Sequence, residues 1–171
     1  MGVWEMLRGA VQNKRVEITE EETKDFLKRG KVAHVATVDE EGFPYVIPLV
    51  YIYEKDKIYL HIGNIRESHF WENIKKNHKV CIEVSEVGEL HPGRKYACQS
   101  ALVYTSAVVF GTISRIEDDE KKAWFFDCLL EKYGDPQWTF ERKGYPILPK
   151  IELFEVQIEK LTGKLNEGLI H

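Results

Sequence analysis

No stretch of this chain is apolar for long enough to cross a bilayer as a helix. Nor does its N-terminus have the charged-then-apolar form of a secretion signal. A cytoplasmic protein without a membrane partner is therefore expected. Cysteine is scarce: Cys81, Cys98 and Cys128 stand far apart and none belongs to a C-x-x-C pair. That removes the zinc-ribbon and thioredoxin-type readings and favours free thiols. Apart from the loose pair His61 and His69, no histidines or cysteines fall at ligand spacing on one element, so no metal site is expected. Positive charge is not in excess. A net charge of −4 gives no electrostatic reason to expect nucleic acid as a partner. There is no G-x-G-x-x-G, hence no dinucleotide fingerprint of the Rossmann kind, and no catalytic triad or paired-carboxylate motif. No internal repeat is visible.

What is present centres on Lys57 to Asn77, KIYLHIGNIRESHFWENIKKN. Ile58, Leu60 and Ile62 alternate with Lys57, Tyr59 and His61, the period of a strand whose two faces differ. Gly63 breaks it. Asn64, with Glu67 three residues on, reads as the N-cap of a helix; Ser68 is the alternative cap. Phe70, Trp71 and Ile74 supply that helix's apolar face, and Asn77 can end it. A strand that turns through glycine into a helix leaves free N–H groups aimed at one spot, and phosphate is the usual anion there. Arg66, Ser68 and His69 are placed to add side-chain donors.

The rest of the chain reads mainly as strands. Residues 1–18 form an N-terminal arm with a basic patch at Lys14 and Arg15. A capping box at Thr19 to Glu22 opens a helix over 20–29, with Gly30 at its end. Lys31 to Val38 and Phe43 to Tyr53 are strands around the turn Asp39 to Gly42; Pro44 and Pro48 interrupt the second. A proline costs a central strand a ladder donor, so Pro48 marks an edge, a bulge, or backbone facing something other than a strand. Lys79 to Val84 is a strand with Val80, Ile82 and Val84 inward. Glu86 to Gly93 reads as a loop, Tyr96 to Ile116 as two strands or one bent one, and Gly111 as a bulge. Phe126, Leu129, Leu130 and Tyr133 give a helical stripe ended by Gly134. An irregular, aromatic segment spans 135–150, the last strand 151–161, and a tail 164–171 closes a domain over 19–163. Many strands with short connections predict a mainly β fold: an antiparallel, Greek-key-like barrel with packed helices.

In this order the parts resemble the pyridoxamine 5′-phosphate oxidase-like superfamily of FMN-binding split barrels, nearest its nitroimidazole-resistance and flavin-nucleotide-binding branch. The pieces that carry the resemblance are GKVAHVATVDEEGFPYVIPLVYIY, KIYLHIG, NIKKNHKVCIEV and YTSAVVFGTISRIED. The resemblance implies a homodimer with FMN at the subunit interface. The segment holding Val46, Ile47, Pro48 and Leu49 would lay its backbone along the isoalloxazine edge. His61, Ile62, Gly63, Asn64, Arg66, Ser68 and His69 would handle the ribityl phosphate end, and Tyr104, Ser106 and Trp138 would approach from the partner chain. His61 matches the histidine that lies near the flavin in the nitroimidazole-resistance proteins, which makes it the candidate catalytic residue.

Many relatives carry Gly-x-Lys at the helix start; here Phe70 occupies the lysine position, with His69 before it. Charge neutralisation would then pass to Arg66 or His69. The function implied is an FMN-dependent oxidoreductase that passes electrons from NAD(P)H, docked transiently, to a small organic acceptor such as a nitroaromatic. Three alternatives stay open: true pyridoxamine phosphate oxidation, for which no C-terminal Arg/His cluster is found; a haem-binding split barrel with His61 or His171 on iron; and a non-catalytic flavin carrier or sensor.

Overall fold

The helix starts are written into the sequence as caps. Thr19 Oγ1 accepts from the Glu22 N–H while the Glu22 carboxylate accepts from the Thr19 N–H, so α1 (Glu20–Arg29) begins where the capping box places it. Phe26 and Leu27 on its inner face are fully buried. The structure, a computed structural model, describes residues 8–63, 68–140 and 144–168. Within them the strands are β1 (Glu17–Ile18), β2 (Ala33–Val38), β3 (Pro44–Leu49), β4 (Tyr51–Glu54), β5 (Lys57–Ile62), β6 (Lys79–His91), β7 (Ala101–Ile116) and β8 (Glu152–Asn166). The other helices are α2 (His69–Lys76) and α3 (Asp119–Tyr133).

All pairings are antiparallel, in the order β3-β2-β6-β7-β8-β5-β4, with β1 added to β8. The sheet curls so that its ends approach: β3 comes into contact with β5 without pairing to it. This is a barrel with one open seam. Inside lie Val35, Ile58, Leu60, Ile82, Val109 and Phe154, with α1 and α2 packed at the rims. A second, smaller core forms on the outer face of β4, β5 and β8, where Ile52, Tyr59 and Leu153 meet Phe125 of α3.

Four expectations change. Residues 43–53 are two strands, not one. At Val50 the chain leaves the β2 ladder and crosses the seam to pair with β5. Glu86 to His91 is strand rather than loop: β6 continues against β7 with a register shift between Val87 and Leu90, and Gly88 lies where a Cβ would come within 3.1 Å of Val103. Strand β8 runs on to Asn166, because β1 and β7 both pair with its far end. On α3 the fully buried aromatic is Phe125, while Phe126, Leu129 and Tyr133 are half-buried around it. Gly111 does sit at a bulge: the β7–β8 register shifts there, and a Cβ would collide with the Gln157 carbonyl oxygen.

Candidate functional site

Strand β3 ends the sheet order and pairs with β2 alone. In an antiparallel ladder, the N–H and C=O of alternate residues point to opposite sides. Pro44 and Pro48 share parity, so both lack an N–H on the same side. Turned toward β2 they would delete two ladder bonds; turned to the open edge they delete none. Val46 has the same parity, which leaves its N–H as the donor that this stretch offers the seam. Tyr45, Ile47 and Leu49 pack against the barrel core, while Val46 and Pro48 are exposed on the outer face. The break read at Pro48 is thus an edge strand with no strand paired to its second side.

Beside this edge, α2 begins. Ser68 is its N-cap: the hydroxyl accepts from the Trp71 N–H at 3.1 Å. Ser68 takes that role from Asn64, which with Arg66 lies outside the described residues. Phe70, in the position of the family's lysine, is core and 1% exposed, so it offers an anion nothing. His69 is exposed. Its ring lies 4.6 Å from that of Tyr45 on β3, and its Nε2 is 3.6 Å from Asp39 Oδ2. Asp39 also accepts from the Glu41 and Phe43 N–H groups, which fixes the β2–β3 turn. Deeper in, the buried Asn73 amide donates to Thr37 Oγ1 at 3.0 Å, and Thr37 donates to the Tyr45 carbonyl at 3.4 Å. The helix start, the turn and the edge strand are therefore held as one piece. At Gly63 a Cβ would meet nothing within 4 Å, so the chain there borders open space.

His61 is not open to solvent as the alternation implied. It points to the outer face of β5, where α3 covers it: its ring is 5.2 Å from Phe126 in an edge contact and 6.2 Å from Phe125. Burial pushes its pKa below the usual histidine value, which favours the uncharged ring. Tyr145 stacks on Phe126 at 5.3 Å and bonds Asp127, which closes this side further. Ile62, one residue on, faces the barrel core. Tyr104 and Ser106 lie on β7, with β6 and β2 between them and β3. Trp138 is 56% exposed, and no ring contact joins it to β3 or β5 among the described residues. One chain thus brings together Val46 to Leu49, Ser68 and His69, but not Tyr104, Ser106 or Trp138.

Sequence reasoning missed the positioning residues. Asp39 read only as a turn residue and Asn73 only as part of a helix. The one signal for Asn73 was an amide on the same helical face as Phe70 and Ile74.

The sequence model of the family described as pyridoxamine 5′-phosphate oxidase matches residues 19–165, most of the chain. The chain belongs to this family. No curated protein matches it in sequence. Among solved structures, it is similar to a candidate 5-nitroimidazole antibiotic resistance protein from Bacteroides thetaiotaomicron. That match has 27% identity and a TM-score of 0.71 and covers 88% of this chain and 86% of that one. The flavocytochrome Anf3 from Azotobacter vinelandii shares the fold at a TM-score of 0.77 and 18% identity, covering 93% of this chain and 73% of that one. A FAD and heme binding protein from Mycobacterium smegmatis does so at 0.74 and 21%, covering 90% and 74%. Family membership and the seamed barrel agree with the architecture expected from the sequence.

Proposed function

We propose that this member of the pyridoxamine 5′-phosphate oxidase family binds FMN along the open edge of β3, and that it passes electrons from a reduced nicotinamide to a small organic acceptor. The observation that carries the reading is the edge itself: a strand in the seam, with both prolines and the Val46 N–H on the unpaired side. When bound, the flavin would supply the redox chemistry that carries two electrons from donor to acceptor. The chain's own residues bind and orient. The Val46 N–H donates to the ring edge. The start of α2, with His69, receives the phosphate, and its N-terminal dipole favours a negative charge. Asp39, paired to His69, offsets part of that attraction. His61 is held on the outer face of β5 under Phe126, apart from the residues gathered at the β3 edge.

Tyr104 and Ser106 stand two strands away from the edge, so they reach the same ligand only from a second copy. The reading therefore includes a homodimer. The nitroimidazole-resistance likeness supports a nitroaromatic as the acceptor class. The test is oxidation of NADH or NADPH by the FMN-loaded protein, with and without a nitroaromatic. Acceptor-dependent turnover supports the enzyme. FMN binding with zero turnover for every donor rejects it and leaves a flavin carrier.

A further inference from the structure

A well-formed cavity lies away from the seam. It lies between the outer face of α2 and strand β7, on the far side of the helix from the Tyr45–His69 contact, and has a volume of about 430 Å³. Its floor is apolar: Ile74, Ile113 and Phe154. Trp71 forms one wall, its ring 6.1 Å from Phe154. Trp71, Ile74 and Lys75 follow i, i+3, i+4 spacing on one face of α2, and His78 joins them from the segment just past the helix end, so the helix and its exit supply the apolar wall and two polar groups. The third, Arg115, is held by Glu152 in a two-pronged pair at 2.6 and 3.0 Å and is committed to it. Lys75 is different. Its partner Glu72 is an exposed neighbour one turn back, and such pairs exchange readily for a better anion. Among the described residues, the His78 ring and the Ser114 hydroxyl make no side-chain hydrogen bond.

An apolar niche of this size with a few convergent polar groups is the ordinary form of a small-molecule site. We propose that the niche between α2 and β7 binds a small aromatic monocarboxylate, its ring against Trp71 and its carboxylate between Lys75 and His78. A neutral aromatic would leave Lys75 with its exposed Glu72 partner alone. A dianion would meet the carboxylates of Glu72 and Glu152, which stand beside Lys75 and Arg115 and already pair with them. The ligand class is set by this balance of one mobile cation and one ring donor over an apolar floor. The site is separate from the flavin reading and stands or falls without it.

The experiment uses 2-naphthoate as the probe, followed by its fluorescence anisotropy on the full chain, with and without saturating FMN. Saturable binding at one site per chain is expected, unchanged by FMN. Ser114→Trp, an exposed strand position where a large ring fills the niche, should weaken binding at least tenfold. Lys75→Glu should weaken 2-naphthoate about tenfold yet leave 2-naphthalenemethanol unaffected. Circular dichroism confirms that both variants fold; if Ser114→Trp does not, Thr112→Trp takes its place. Absence of saturable binding, full affinity in the filled variant, equal loss of acid and alcohol in Lys75→Glu, or competition by FMN would each overturn the proposal.

Discussion

Lys132 stands in an environment at odds with its charge. Near the end of α3 its ammonium lies 3.8 Å over the Tyr51 ring and donates to the Tyr51 carbonyl at 3.2 Å. No carboxylate pairs with it among the described residues, and Lys31 reaches the same turn to donate to the Lys132 carbonyl. Burial, and then Lys31, bring its pKa down to about 8. The folded value lies below that of the unfolded chain, so the unfolded state holds the extra proton between about pH 8 and about pH 10.4. Stability therefore rises with pH across that window. Above about pH 10 the trend reverses, since burial raises the pKa values of Tyr51 and Tyr133 and their ionisation favours unfolding. Urea midpoints measured from pH 7 to 11 should show this maximum, and Lys132→Met should flatten its rising limb. Asn73 is the second residue to test. Replacing it by Ala removes the bond to Thr37 inside the barrel and should cost about 1–3 kcal/mol in urea unfolding.

Among the elements, β3 makes the sharpest claim. Val46→Pro removes an N–H of the same parity as those already missing at Pro44 and Pro48. It should leave the unfolding midpoint nearly unchanged while weakening FMN about tenfold, the worth of one hydrogen bond. Ile47→Pro, of opposite parity, should instead unfold the protein, because it breaks the ladder to Val35. Ser68→Ala should cost about 1 kcal/mol through the lost cap of α2. The elements also show why some of the fold was legible and some was not. Helix α1 announced itself by its capping box, and β5 by clean alternation, since both signals are local. The crossing at Val50 was not legible, because what separates β3 from β4 is a change of partner across the seam and not a change of local preference. Gly88 resembled a loop residue for a related reason: a glycine that admits Val103 at a bulge looks in sequence like any turn glycine. His61 alternated correctly, but its cover comes from α3, some sixty residues on, and alternation cannot tell solvent from a helix.

For the whole molecule, the account needs two copies. Sedimentation of the FMN-loaded protein should give a dimer, and a monomer that binds FMN tightly would contradict a site shared between subunits. The barrel has one seam, and its exposed outer residues Val38, Val46 and Val50 flank it, where a second copy would shield both strand and ligand. The central claim is that the open edge of β3 holds a flavin, and titrating FMN into the protein while following its fluorescence tests it most directly. The account predicts saturable quenching with one FMN per chain, abolished in a folded Pro48→Arg variant. No saturation, or full loading of Pro48→Arg, would contradict it.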